Sequence, residues 1–220
     1  MTTPEPAPGP SEPTDPVPGT AGYGGEAAAR LVEQYESVGL ADVHPHLLPL
    51  LPDSGARVLD IGSGSGRDAA ALTERGHRVV AVEPTAELRA LARARHPDRP
   101  GRPPVTWVDD ALPALPALRE RGETDFDLVL VTAVWMHLAP AERALALPVV
   151  AGLLAPGGLL SLTVRHGPVP TGRHMFEVPD EEVRTAAAEL GLTPVHLGSR
   201  GDLHGRDGVH WSELVFRAQP

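Results

Sequence analysis

The sequence predicts an α/β fold, a parallel sheet of short strands covered by helices on both faces. Three observations carry that expectation. Short β-branched and aliphatic runs alternate with amphipathic helical segments along most of the chain, as strand–helix–strand units require. The strands read as near-continuous apolar runs, the pattern of strands buried on both faces. The 41% hydrophobic content of 220 residues suffices for one domain core without a metal or disulfide staple.

The elements follow in order. Residues 1–25 are dominated by Pro, Gly, Thr, Ser and acidic residues, with no aliphatic side chain larger than Val17. So little apolar surface cannot offset ordering entropy, and the stretch is read as a disordered tail. Tyr23, at its end, is a candidate for ordering by a ligand. Residues 26–51 are expected to form a helical cap. In it Glu26–Val38 puts Leu31, Tyr35 and Val38 on one face, and a second short helix covers Val43–Leu51. Seven strands are expected, at Arg57–Ile61, Arg78–Val82, Val105–Val108, Asp127–Val131, Leu159–Val164, Thr193–Leu197 and Trp211–Arg217. Gly201, Gly205 and Gly208 mark a hairpin between the last two.

Helices fill the gaps. Asp68–Arg75 stops at Gly76, where a residue without Cβ takes a left-handed turn. Thr85 is expected to cap Ala86–Arg95, which His96-Pro97 ends. Pro140 opens a helix to Leu154, kinked at Pro148 and closed at Pro156-Gly157-Gly158. Asp180, Glu181 and Glu182 follow Pro179 and suit the positive first turn of a helix ending at Gly191. Residues 26–220 thus read as one domain.

Charge and composition exclude several functions. The net charge of −10, from 19 basic and 29 acidic residues, repels a phosphate backbone, so no nucleic-acid partner is expected. Arg89, Arg93, Arg95, Arg99 and Arg102 read as a solvated helix face. The chain has no cysteine, which excludes disulfides, thiolate catalysis and cysteine-ligated metals. No apolar run approaches the ~20 residues that span a bilayer, and the N-terminus lacks the regions of a signal peptide. A cytoplasmic protein with no membrane partner is the expectation; the sequence is silent on oligomeric state.

The strongest motif is Val58-Leu59-Asp60-Ile61-Gly62-Ser63-Gly64-Ser65-Gly66-Arg67. A buried strand ends in a glycine-rich turn that opens a helix, at the sheet edge where open α/β sheets bind ligands. A dinucleotide fingerprint spaced G-x-G-x-x-G fails from Gly62, because Arg67 stands at its third glycine. The looser form with alanine fits from Gly64 through Gly66 to Ala69. Asp60 tips the balance. A carboxylate aimed at this turn suits a cationic amino group and opposes a pyrophosphate.

This segment resembles the first motif of the class I S-adenosylmethionine-dependent methyltransferases, and the resemblance runs from about Tyr23 through the rest of the chain. Val80-Ala81-Val82-Glu83-Pro84 is similar to the second motif, and Trp107-Val108-Asp109-Asp110-Ala111-Leu112-Pro113 to the third. Asp125–Val131 resembles the fourth, and Leu154-Ala155-Pro156-Gly157-Gly158 the turn before the fifth strand. The resemblance implies a Rossmann-like, seven-stranded and mostly parallel sheet whose last strand is antiparallel. It implies S-adenosylmethionine as cofactor and S-adenosylhomocysteine as product. By the family pattern Glu83 binds the ribose hydroxyls, Asp110 accepts from the adenine amino group and Ala111 meets the ring through its backbone. Cofactor contacts are assigned to Tyr23, Asp60, Gly62, Ser63, Gly64, Gly66, Glu83, Pro84, Asp109, Asp110, Ala111, Thr132 and Trp135. Simpler readings stand beside these: Asp60 and Glu83 as helix caps, Asp109 and Asp110 as turn residues, Trp135 as core.

The acceptor is expected over the end of the fourth strand, near Thr132–Leu138. His137 is read either as a general base, since imidazole titrates near neutrality, or as a buried histidine bonded to the loop after the fifth strand. That loop offers Arg165 and Arg173 to hold an acceptor carboxylate or phosphate, and His166 and His174 as further bases; the alternative is a plain surface loop. Asp202, His204, Asp207 and His210 read as hairpin rather than metal ligands. His44-Pro45-His46 reads as surface, and no residue is assigned to a metal. The expected function is methyl transfer to oxygen or nitrogen of a small molecule. A peptide or protein acceptor and a non-catalytic S-adenosylmethionine binder remain the alternatives. A nicotinamide enzyme is disfavoured by Asp60 and by the absence of any lysine for a Tyr–Lys pair.

Overall fold

The structure, a computed structural model, describes Val17 and residues 19–220. Strands β1 (Arg57–Ile61), β2 (Arg78–Val82), β3 (Thr106–Val108), β4 (Phe126–Thr132), β5 (Leu154–His166), β6 (Thr193–Gly201) and β7 (His210–Arg217) form one sheet in the order β3-β2-β1-β4-β5-β7-β6. The first five strands are parallel, and β7 runs antiparallel between β5 and β6. The helices are α1 (Glu26–Glu36), α2 (Leu40–Val43), α3 (Arg67–Glu74), α4 (Ala86–Arg95), α5 (Pro116–Glu120), α6 (Pro140–Ala151) and α7 (Asp180–Glu189).

Strand alternation splits the core into two layers. Leu59, Ile61, Val129 and Val131 face one side with α6 and α7, among them Leu147, Val150 and Val183. Val58, Leu128 and Leu130 face the other with Leu40, Leu47 and Leu72. Each such side chain, taken fully out of water, contributes roughly 1.5–3 kcal/mol. Asp60 alternates with Leu59 and Ile61, so it falls on the α3 side. Strand order reverses between β1 and β4, and that switch point opens a cleft at the C-terminal strand ends.

Five local features differ from expectation. The second cap helix is broken: α2 ends at Val43, His44-Pro45 interrupts, and a 3₁₀ turn covers Leu48–Leu50. The sequence His44-Pro45-His46, expected at the surface, turns both rings inward. His44 is fully buried with Nε2 3.0 Å from Asp68 Oδ2, and the His46 side chain is 3% exposed. Thr85 makes no side-chain cap; its backbone amide is taken by the Glu83 carboxylate instead. Helix α5 was not foreseen, because five residues after Pro113 carry too little periodicity. Of the stretch read as a disordered tail, residues 1–16 and 18 lie outside the described residues, while residues 19–25 form turns against the site.

Candidate active site

The turn after β1 exists because of its glycines. Gly62 has φ +70°, and a Cβ there would collide with Val134 Cγ2. Gly66 has φ +79° as the residue before α3, and a Cβ would stand 2.5 Å from the Trp107 ring. The backbone therefore lies open along one wall of a cleft.

The cleft floor is acidic. Asp60 is 1% exposed, and its Oδ2 finds no hydrogen-bond donor. Burial and the neighbouring Asp68 push its carboxyl well above the usual range. Asp68 goes the other way. Its burial alone would raise it, but His44 and a bidentate Arg67, both Nε and Nη2 at 2.8 Å, hold it low. Arg67 is thus committed to Asp68, which leaves Asp60 with the Ala69 backbone amide but no cation of its own.

Glu83, at the end of β2, accepts from the Gly64 amide at 2.9 Å and the Thr85 amide at 2.8 Å, one on each oxygen. Burial nonetheless raises its pKa. Each oxygen keeps a free lone pair, so a vicinal diol can still be bound. Asp110 accepts from the Ala111 and Leu118 amides at 2.9 and 2.8 Å, which fixes the loop that carries Ala111 and Leu112 into the cleft wall.

At the other end, Tyr23 from the segment before α1 reaches over the site. Its hydroxyl lies 2.8 Å from His137 Nε2, and His137 Nδ1 lies 2.8 Å from the His174 carbonyl. Burial pushes the Tyr23 pKa up. It pulls His137 down, aided by Arg173 and Arg165 and opposed by the His174 carbonyl. Arg173 stacks on the Tyr23 ring at 4.4 Å. Arg165 donates to the Pro168 carbonyl at 2.7 Å, while its buried Nε has no acceptor.

The structure brings together in the cleft Tyr23, Asp60, Gly62, Ser63, Gly64, Glu83, Pro84, Asp110, Ala111, Thr132, His137, Arg165 and Arg173. Five expected residues stand outside its lining. Trp135 is 2% exposed inside the core. Gly66 lies behind the turn against Trp107. Asp109 points outward, 68% exposed, to Arg89. His166 is turned to Ser212 Oγ at 2.8 Å and stacks on His210. The ring of His174 packs on Phe176, so only its carbonyl serves the site. The β6–β7 hairpin forms as expected, but its part in the site was missed: Asp202, Leu203, His204 and Arg206 line the cleft. Asp202 organises the loop, binding the Arg206 guanidinium and the Trp211 indole at 3.0 Å. The glycine spacing gave the hairpin but no sign that it folds over the site.

The donor set fits S-adenosylmethionine. A buried Asp60 carboxyl with one oxygen left without a donor suits a cation such as an α-amino group, and Glu83 faces the same cleft, where it can accept from a ribose. No helix among the described residues is long and apolar enough to cross a membrane.

Comparison with known proteins agrees. A family model described as a methyltransferase domain matches residues 58–158. An uncharacterised methyltransferase of Mycobacterium tuberculosis is 38% identical over 113 residues, 51% of this chain and only 41% of that protein's length. A ubiquinone biosynthesis O-methyltransferase of Rhizobium rhizogenes is 30% identical over 185 residues, covering 76% of this chain and 68% of that one. The solved 1,6-didemethyltoxoflavin N1-methyltransferase of Burkholderia thailandensis superposes with TM-score 0.59 at 26% identity, covering 89% of this chain and 80% of that one. Motif, cleft and relatives coincide, and the chain belongs to the class I S-adenosylmethionine-dependent methyltransferases.

Proposed function

We propose that the protein methylates a small, anionic molecule at oxygen or nitrogen. The observation that carries this reading is the make-up of the cleft beyond His137. Arg165 and Arg173 line it together, while the Arg206 guanidinium is held by Asp202, on a protein of net charge −10, beside the Tyr23 segment and the β6–β7 hairpin. Guanidinium groups recognise carboxylate or phosphate in paired geometry. A cover built from two chain segments suits a small molecule better than a folded polypeptide. Two similar proteins bear names of small-molecule methyltransferases, one acting at oxygen and one at nitrogen.

The bound cofactor supplies an electrophilic methyl on a sulfonium sulfur, so the protein's part is placement, water exclusion and proton handling. Asp60 holds the cationic amino group. Glu83 holds the ribose, and Asp110 with Ala111 borders the adenine. The arginines orient the acceptor. A hydroxyl acceptor gives its proton to the Tyr23 oxygen as the Tyr23 proton passes to His137 Nε2. An amine that is already neutral needs only positioning.

The test is a screen of carboxylated and phosphorylated phenols and heteroaromatic amines, together with their neutral analogues, for formation of S-adenosylhomocysteine and a product heavier by one methylene. An anionic acceptor should turn over, and Arg173→Ala should raise its KM while calorimetric cofactor affinity is kept. Turnover of neutral analogues as fast as charged ones, or of peptides alone, rejects the reading.

A further inference from the structure

Away from the cleft, His46, His196 and Glu213 bring their ligating atoms within 4.8 Å of one another. His46 belongs to the loop after α2, His196 to β6 and Glu213 to β7. We propose that these three residues bind a divalent transition-metal ion of the zinc class, with water completing the coordination.

Four observations carry this assignment. The His46 side chain is 3% exposed, and neither ring nitrogen has a hydrogen-bond partner. A neutral imidazole carries one N–H and one lone pair, and leaving both buried and unmatched is unfavourable unless something else occupies them. His196 Nε2 is orphaned beside it. Secondly, the donors stand close enough to become ligands once the stacked His46 and His196 rings, 4.8 Å between centroids, turn towards a shared ion. His46 Nδ1 lies 3.3 Å from Glu213 Oε2, and two donors each about 2.0–2.1 Å from a tetrahedral zinc stand about 3.3 Å apart. His196 Nε2 is 3.8 Å from the same oxygen, about half an ångström from that spacing.

Thirdly, the chain makes room. A Cβ on Gly198 would come 2.6 Å from His196 Nε2 and 3.7 Å from Glu213 Oε2, so a side chain there would fill the cradle. Fourthly, the donors are of the right kind: two imidazoles and a carboxylate favour zinc over magnesium or calcium, which take oxygen.

The site is a tie rather than a catalyst. It joins the N-terminal cap to the open edge of the sheet. Glu213 Oε1 remains 3.0 Å from Arg200, a residue of the cleft mouth. Two residues before His46, His44 contacts Asp68 and Thr132 Oγ1. The ion therefore clamps the loop that underlies the cofactor end of the cleft.

The full-length chain, made without a histidine tag and stripped by chelator, is titrated with Zn²⁺ by calorimetry and by competition with a chromogenic chelator. One equivalent should bind at micromolar Kd or tighter, raise the melting temperature without any cofactor, and give tetrahedral visible bands when Co²⁺ replaces it. His196→Gln, at the half-exposed rim, should fold normally and weaken binding at least thirtyfold; Gly198→Ala should weaken it as well. With ten histidines in the chain, adventitious binding is the competing outcome. Binding that is non-stoichiometric, weaker than about a millimolar, or unchanged by His196→Gln overturns the site.

Discussion

The Tyr23 hydroxyl stands 2.8 Å from Nε2 of His137, on a ring whose Nδ1 is 2.8 Å from the His174 carbonyl oxygen. A carbonyl can only accept, so Nδ1 carries the proton and Nε2 receives the Tyr23 hydrogen bond. The pair ties the segment before α1 to the 3₁₀ turn after β4, Trp135–His137. A histidine buried in this tautomer presents its basic nitrogen to the cleft only through Tyr23.

Tyr23→Phe removes the hydroxyl but keeps the ring under Arg173. One part-buried hydrogen bond is lost, about 1 kcal/mol of stability. On a hydroxyl acceptor kcat should fall about 10²–10⁴-fold with little change in KM, the range for a lost proton-transfer path. On an amine acceptor it should barely change. Undiminished kcat on a hydroxyl substrate would remove Tyr23 from the proton path.

With Asp60 in its proposed role, cofactor binding should depend on pH. Its carboxyl sits well above the usual range before a ligand arrives, and a cationic amino group beside it favours the charged form. Binding should then release a proton, and affinity should weaken as pH falls through the raised value. Calorimetry in buffers of different ionisation enthalpy reads the proton count. Asp60→Asn should bind more weakly and abolish the buffer dependence; equal proton release in that variant would assign the effect to another group.

Much of this was legible in the sequence for physical reasons. Buried parallel strands cannot hide their aliphatic runs, so six of the seven expected strands start within one residue of their observed start. Gly62, Gly64 and Gly66 stand out because only glycine tolerates their backbone, and Asp60 because an acid in an apolar strand needs a reason. The rest depended on contacts between distant segments. Trp135 carries nothing in its neighbours that separates ring-on-ligand from ring-in-core. Asp109 and Asp110 are adjacent, and only Arg89 on one side and the Leu118 amide on the other decide which turns inward. The closeness of His46, His196 and Glu213 spans three elements and has no local signal.

Gly62 and Val134 test how closely the turn and the loop after β4 are fitted. An alanine at position 62 meets both a φ of +70° and the Val134 methyl. Gly62→Ala should destabilise by about 2–3 kcal/mol, since left-handed strain costs about 1–2 and overpacking adds to it. In the double variant with Val134→Ala the steric part should be relieved, giving a coupling energy of about 1 kcal/mol in a double-mutant cycle. Strict additivity would mean that backbone strain alone forbids the side chain.

Buried histidines set an acid limit. Burial lowers the pKa of His77, His137 and His166 below the ordinary value near 6.5. Below that value the unfolded chain takes up protons that the folded chain refuses, so stability falls as pH drops from about 6.5 towards the folded pKa values. The melting temperature should decline from pH 7 to pH 5, and His77→Gln should flatten part of the slope. A flat profile over that window would mean that these rings accept protons in place.

Arg143 shows how the scaffold holds the turn that carries His137. It is 3% exposed in α6, donates to both Glu182 oxygens of α7 at 2.7 and 3.0 Å, and gives a third bond to the Leu138 carbonyl at 2.8 Å. Leu138 follows His137, so one guanidinium joins two helices to the end of the site. Glu182 is 40% exposed and can rehydrate, which discounts the ion pair itself. The buried carbonyl cannot. Arg143→Ala should therefore cost about 3 kcal/mol in urea unfolding, and Glu182→Gln only about 1 kcal/mol. Arg143→Ala should also lower kcat with cofactor affinity kept, because the His137 turn loses its tether. Equal losses from the two variants would place the stabilisation in the ion pair, and an unchanged kcat would separate the helix contact from the site.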